Sequence, residues 1–396
     1  MVQVVEKPTL PPANLTPSRW DVFCQVVDNY GDIGVCWRLA RQLAGEFGLE
    51  LRLWVDEPEA LDMMLPSFDP ALESQSHAGV EVRRWPVDFP PVVAADVVIE
   101  AFGCELPPAY LAAMVTRPVR PPLWINLEYL SAEDWVHGCH ALPSPHPKLP
   151  LVKHFYFPGF TSQTGGLLRE SGLLGQRDAF WQSPQEKAAF WASLGCAVPT
   201  PETVTVSLFC YPNPALPGLL GAWAEAGYPV FCLVPEGKPA AAVAEALGVK
   251  RLVAGDRLRR GDLEILVLPF VRQEDYDRLL WACDCNFVRG EDSFVRAQWA
   301  ARPFVWHIYP QEELAHEKKL AAFLDRYCAA LPADAAEALR GMWWGWNRGE
   351  VTARQWADFW AQRAVLECHA LDWAARQEGN GDLATSLVNF SNAMIE

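Results

Sequence analysis

The chain has no C-x-x-C pair, no long apolar run and no excess of basic charge, and each absence removes a class of protein. Its 11 cysteines are odd in number, the nearest two are Cys283 and Cys285, and Cys24, Cys210 and Cys232 sit inside apolar runs. That usage speaks against a disulfide framework or a zinc site and for reduced, buried thiols in a cytoplasmic protein. No stretch of about 18 apolar residues occurs, so no membrane span is expected. The first twenty residues, MVQVVEKPTLPPANLTPSRW, lack a basic start followed by an apolar stretch. They do not read as a secretory signal, and their prolines suggest a loose leader. The formal charge of −16 excludes a general nucleic-acid binder, which needs a basic surface. Such a charge serves solubility, and it would also draw in a basic patch on a partner protein. His137 and His140 are three residues apart, but with Cys139 between them on a lone turn they make a poor start for a metal hydrolase.

What is present is enough for two cores. The chain has 396 residues, 51% of them hydrophobic and 21% charged, and ordinary domains run to roughly 100–200 residues. Strand-length apolar runs alternate with helical patterns. WDVFCQVV (20–27), LELRLWVD (49–56), VEVRRWP (80–86), VVIEAF (97–102) and LWINLEYL (123–130) read as strands of a first unit. VTVSLFC (204–210), PVFCLVP (229–235), LEILVLPF (263–270), CDCNFVRG (283–290) and PFVWHIY (303–309) read as strands of a second. Strand–helix alternation implies right-handed crossovers and parallel sheets. Residues 131–198 are broken by Pro, Gly and His and read as loops with Trp-rich helical pieces. The expected division is an N-terminal Rossmann-like domain over 1–198, completed by a helix at 355–378, a C-terminal one over 199–354, and a weakly ordered tail over 379–396.

Open parallel sheets bind ligands beyond the carboxyl ends of their strands, which directs attention to two loops. VVDNYGDIGVCWRLARQLA places Asp28 and Asp32 around a glycine-containing turn just after the first strand. It is not G-x-G-x-x-G, so a dinucleotide fingerprint is missing. Asp32 reads either as an N-cap of the following helix or as a general base or acceptor-binding carboxylate; one residue can serve both ends. CDCNFVRGEDSFVRAQWA is a strand, an acidic turn and a helix. Gly290 opens the turn, and Glu291, Asp292 and Ser293 occupy the helix start, where backbone N–H groups suit a phosphate. There a carboxylate would face a sugar hydroxyl or a ribose. Arg289 would pair with a diphosphate or with a neighbouring carboxylate.

VVDNYGDIGVCWRLARQL, WINLEYLSAEDWV, FYFPGFTSQTGGLLRE, SLFCYPNP, LPFVRQEDYDRLLWACDCNFVRGEDSFVRAQWA and PFVWHIYPQEELAHEKKLAAF together resemble the elongation factor P arginine rhamnosyltransferases, the EarP family. The resemblance runs from about Trp20 to about Trp373. It implies a GT-B glycosyltransferase fold, two facing Rossmann-like domains with a central cleft. It implies dTDP-β-L-rhamnose as donor and inverting transfer of rhamnose to one arginine of elongation factor P (EF-P), which supports translation through polyproline. Carried over by residue, it places Phe270 on the thymine ring with Gln273 at the base edge. Phe209 and Tyr211 line the sugar-nucleotide pocket, with Tyr309 and Gln311 as further candidates. Glu291, Asp292 and Ser293 match the diphosphate-and-sugar loop. Asp32, Asp28 and Glu291 are then the catalytic carboxylates.

The chemistry suits these groups. A guanidinium is always charged and a poor nucleophile, and carboxylates can grip its plane and take a proton as the new C–N bond forms. The donor bond breaks toward an oxocarbenium-like state. Helix-start amides can stabilise the departing diphosphate, so neither a metal nor a cofactor is expected. The absence of a D-x-D sequence in a loop expected to face the cleft agrees. The alternatives are a sugar-nucleotide epimerase or hydrolase of the same fold, which would lack a protein acceptor, and a non-catalytic GT-B-like binding protein.

Overall fold

The computed structural model describes residues 18–27, 31–118, 120–310 and 314–395. Every strand expected from the sequence forms, and the strands assort into two sheets. The first contains β1 (Arg19–Cys24), β2 (Glu50–Val55), β3 (Ser74–His77), β4 (Val80–Arg84), β5 (Val97–Ala101), β6 (Leu123–Leu127), β7 (Pro143–Pro145) and β8 (Val152–Tyr156), in the spatial order β3-β4-β2-β1-β5-β6-β8-β7. The second contains β9 (Val204–Leu208), β10 (Val230–Pro235), β11 (Arg257–Arg260), β12 (Leu263–Leu268), β13 (Cys285–Arg289) and β14 (Phe304–His307), in the order β11-β12-β10-β9-β13-β14. The central strands pair parallel: Val22 lies opposite Leu53 and Ile99, and Phe287 opposite Leu208. These strands are Val-, Leu- and Ile-rich because helices cover both faces of each sheet.

β3, β7 and β11 carry no apolar signature, and the sequence does not announce them. Each is short, antiparallel and at a sheet edge, with the sequences SQSH, PSP and RLRR. Polar and proline-containing edges discourage pairing with a second sheet. Residues 131–198, expected as loops and helical pieces, also contribute β8, which pairs parallel with β6 through Ile125 and His154.

The cores divide the chain differently from the expected boundary at 198. Phe160, Leu173, Phe180, Phe190 and Trp191 pack into the cluster built on the second sheet, as do Trp356, Phe359, Leu366 and Trp373. The stretch 355–378 therefore caps the C-terminal core and not the N-terminal one, because its tryptophans lie against the helices that cover the second sheet. The expected tail is instead a helix, Leu383–Ile395, whose Leu383, Ala384 and Leu387 are buried in the core of the first sheet. Its apolar residues recur at helical spacing, and burying them offsets the ordering entropy that a loose tail would keep. The chain thus crosses from the first core to the second and returns at its end.

Both sheets reverse their strand order at one place, between β1 and β5 in the first and between β9 and β13 in the second. At such a switch point the adjacent loops diverge and leave a crevice at the carboxyl ends.

Candidate active site

The crevice of the second sheet is a cavity of about 570 Å³. Phe209 follows β9, Pro235 ends β10 and Glu236 to Lys238 follow it, Phe270 and Val271 follow β12, and Arg289 and Gly290 close β13. Gln273, Tyr276, Asp292 and Ser293 complete the wall, and Gly31, Met63 and Met64 reach in from the first sheet's side. Phe209, Phe270, Gln273, Arg289, Asp292 and Ser293, all expected at the site, thus line one cavity. The loop Glu236–Lys238 was not foreseen; its only sequence signal is a glycine beside a lysine after a strand, and Gly237 takes φ 95°.

Arg289 is the charged centre of this wall. Its guanidinium lies 4.5 Å from the ring centres of both Phe209 and Tyr211. A buried cation between two ring faces is held by their quadrupoles. Among the described residues its Nη1 has no hydrogen-bond partner, so part of the fork remains available to an anion. Beneath it His307 meets Tyr211 edge to face at 5.3 Å. Burial, then the Arg289 charge, drives the imidazole down to about 3, so His307 stays neutral and adds no competing cation. The Ser293 hydroxyl accepts from the Arg289 amide at 3.1 Å and donates to the Arg289 carbonyl. That hydroxyl is committed to the turn, and what the helix Asp292–Ala300 offers an anion is its amide-bearing start. Tyr211 and Tyr309 stand outside the cavity lining. Tyr309 is 43% exposed and packs edge-on against Tyr211 at 5.5 Å.

The acceptor-side candidates gather at the switch point of the first sheet. Asp28, like Gln311, lies outside the described residues. Asp32 falls within the first turn of the helix Gly31–Phe47 and is 3% exposed. Its carboxylate accepts the Val27 amide at 2.9 Å and the Tyr129 hydroxyl at 3.1 Å. The N-cap expectation is therefore corrected: Asp32 is a first-turn residue reaching back to the end of β1 and across to the loop after β6. Tyr129 was missed, although it lies in the quoted WINLEYL segment. Burial and the Asp32 charge raise its pKa, keeping the phenol a donor. It stacks on Phe102 at 4.4 Å, which fixes the ring.

Glu291 comes from the second domain to the same place. Its carboxylate accepts the Leu130 amide at 2.9 Å, so consecutive residues 129 and 130 hold carboxylates from the two sides of the cleft. Glu291 keeps a partly exposed surface, yet burial dominates its titration and, with the Asp32 charge adding to it, pushes the carboxyl up to about 8. Glu128, also at the end of β6, is raised in the same direction by burial and accepts from Asn126. Among the described residues, no three His, Cys, Asp or Glu side chains gather as a metal site would require, and no helix is long and apolar enough to cross a membrane.

Two α/β sheets facing across a cleft, with a ligand-sized cavity at the strand ends of the second, define a glycosyltransferase of the GT-B class. The chain belongs to the EarP family, described as Elongation-Factor P (EF-P) rhamnosyltransferase EarP, whose family model matches residues 20–392. The protein-arginine rhamnosyltransferase of Pseudomonas putida is 54% identical over 373 residues, covering 94% of this chain and 98% of that protein. Its counterpart from Pseudomonas aeruginosa is 55% identical with the same coverage. A solved structure, described as the structural basis for EarP-mediated arginine glycosylation of translation elongation factor EF-P, is 39% identical with a TM-score of 0.69 and covers 95% of this chain and 99% of that one. A glycosyltransferase from Rickettsia africae shares the fold alone, at 9% identity and a TM-score of 0.52 over 96% of this chain and 100% of that one.

Proposed function

We propose that the enzyme transfers L-rhamnose from dTDP-β-L-rhamnose to an arginine side chain of EF-P in the cytoplasm, with inversion and without a metal or cofactor. The observation that carries this reading is the meeting of unlike groups across one cleft. An aromatic cavity with a stacked arginine lies on one side, and on the other two carboxylates are held by adjacent residues of one loop. The names borne by the family and its relatives supply the sugar and the acceptor.

In this reading Phe270 stacks on the thymine and Gln273 bonds its edge. Phe209 and Tyr211 support Arg289, whose Nη1 meets the diphosphate. The amides at the start of the Asp292–Ala300 helix share that charge, while Asp292 faces a sugar hydroxyl. Tyr309 borders the pocket from outside. The acceptor guanidinium enters against Asp32, with Glu291 and Asp28 as its other carboxylate neighbours. The bond from the anomeric carbon to the phosphate oxygen breaks as the bond to the guanidinium nitrogen forms. One proton passes from that nitrogen to the Asp32 carboxylate, and dTDP departs with the electron pair of the broken bond. The rhamnosylated guanidinium keeps its positive charge. Asp32 suits the base role because its hydrogen bonds with Val27 and Tyr129 fix its direction. Glu291, with its raised pKa, is protonated at neutral pH until the cation arrives, and an arriving cation favours its ionised form.

The test is peptide mass mapping of EF-P after incubation with enzyme and dTDP-rhamnose in the presence of a chelator. One deoxyhexose on one arginine is expected. Unmodified EF-P, or activity that returns only with added Mg²⁺ or Mn²⁺, would refute the reading as stated.

A further inference from the structure

The helix Gly31–Phe47 carries Asp32 near its start, and the same helix grips the opposite wall of the cleft. Gly34, Arg38 and Arg41 recur at i, i+4 and i+7, so they share one face, and that face meets the second domain. Arg38 is 1% exposed. Its Nε donates to Asp292 at 2.7 Å, its Nη2 to the Gln273 carbonyl at 3.3 Å, and its Nη1 lies 3.5 Å from both Asp277 and Glu170. Asp292 and Gln273 line the 570 Å³ cavity. One guanidinium therefore holds two cavity-lining residues while its own helix holds Asp32.

The contact is tight as well as polar. Gln273 Nε2 donates to the Gly34 carbonyl at 3.1 Å and to Asp292 at 3.3 Å. A Cβ on Gly34 would stand 3.3 Å from Gln273 Nε2 and 3.4 Å from the Asp292 carboxylate. Behind Arg38 the charges are matched. Arg296 forks onto Asp277 at 2.7 and 2.6 Å and bonds Glu170 at 2.5 Å, and Arg41 reaches Glu170 at 3.4 Å. Burial alone would raise Glu170; Arg296 and Arg38 overcome it and hold the carboxyl well below its usual range. Arg41 also pairs with Glu274. The planar, multidentate guanidinium satisfies partners in several directions at once, which an ammonium on a flexible stem cannot.

We propose that Arg38 is a positioning residue for transfer: it fixes the distance and orientation between Asp32 and the sugar nucleotide by tying the Asp32 helix to Asp292 and Gln273, with Gly34 as the close-contact point beside it. This rests on the assignment of Asp32 to the acceptor and of Gln273 and Asp292 to the donor. Glu170, Asp277 and Arg296 form the matched base on which Arg38 is mounted. Because the tie acts on geometry, its loss reduces the rate of the bound complex more than the affinity for either substrate.

The test compares Arg38→Lys and, separately, Gly34→Ala with the wild-type enzyme in steady-state transfer to EF-P, dTDP calorimetry and thermal melting. Arg38→Lys keeps the charge and loses the fork; kcat is expected to fall about 10- to 100-fold, as for a small misplacement of reacting groups, with dTDP affinity and the KM for EF-P close to wild type. Gly34→Ala improves intrinsic helix propensity, so melting should hold or rise while kcat falls. Arg38→Lys that is folded and turns over at the wild-type rate overturns the proposal, as does a lower melting temperature with full kcat below it. If Arg38→Lys does not fold, Gly34→Ala decides, and wild-type kcat in that variant overturns the proposal. A wild-type enzyme that leaves EF-P unmodified is a different failure, one of the assigned reaction, and the positioning role falls with it.

Discussion

The two walls of the cleft share a six-strand order with one switch point, to which the first sheet adds β8 and β7, and differ in chemistry. The wall on the second sheet is aromatic, lined by Phe209, Phe270 and Tyr276, and holds a cation, Arg289, against the rings of Phe209 and Tyr211. The wall on the first sheet is lined by carboxyl groups, with Asp32 and Glu128 at its strand ends and Glu291 delivered across the gap to Leu130. A large, partly apolar anion fits the first environment, and a small cation fits the second. The switch-point crevice fixes where a ligand goes in each sheet, and the residues placed there fix which ligand.

The largest effect is expected where the carboxyl-lined wall loses its ionised carboxylate. Asp32→Asn preserves size; its one oxygen can accept the Val27 amide while its NH2 donates to the Tyr129 oxygen, but it cannot take a proton. Turnover should drop about 10²–10⁴-fold, as general-base removal does, with melting nearly unchanged. A variant with near-normal turnover in EF-P transfer would remove Asp32 from the base role and leave the comparison without its chemical half. The aromatic wall is tested by Phe270→Ala, which should weaken dTDP binding by roughly 1–3 kcal/mol, the usual scale of base–aromatic stacking. Unchanged affinity in calorimetry would take Phe270 out of the nucleotide site.

Glu291 gives a smaller, pH-dependent effect. Its carboxyl is near 4.5 in an unfolded chain and about 8 in the folded protein. Between those values the unfolded chain binds fewer protons, so stability falls as pH rises from about 4.5 to about 8 and levels off above. The slope from this group is at most about 1.4 kcal/mol per pH unit, and less for its partial exposure. Glu291→Gln removes that slope. Denaturant melts at pH 5 and pH 8 should show the variant gaining on wild type as pH rises, and equal pH dependence in the two proteins would show that the carboxyl is not held protonated.

How much of this the sequence discloses depends on range. β1, β2, β5, β6 and the central strands of the second sheet are local apolar runs, and their alternation with helices specifies parallel sheets. Phe209, Phe270, Arg289 and Asp292 follow from the rule that ligands sit after strand ends, combined with the family resemblance. The edge strands SQSH, PSP and RLRR were illegible because an edge needs no apolar face. The last helix, Leu383–Ile395, was hidden by the glycines at 379 and 381 ahead of it, and its partner surface lies in the first domain. Tyr129 sits in a segment that reads simply as a strand end; its hydroxyl gains meaning only beside Asp32, 97 residues away. Arg38 reads as an ordinary helix-surface arginine, since its partners Gln273, Asp277 and Asp292 are 235 to 254 residues distant. Sequence separation of that size leaves no periodic trace.

The central claim is that nucleotide recognition belongs to one wall and proton removal to the other. It is tested most directly by titrating dTDP calorimetrically into the Asp32→Asn protein with no EF-P present. The account predicts binding indistinguishable from wild type in affinity and stoichiometry, from a protein that no longer transfers rhamnose. Loss of dTDP binding in that variant, or binding that appears only when EF-P is added, would contradict it.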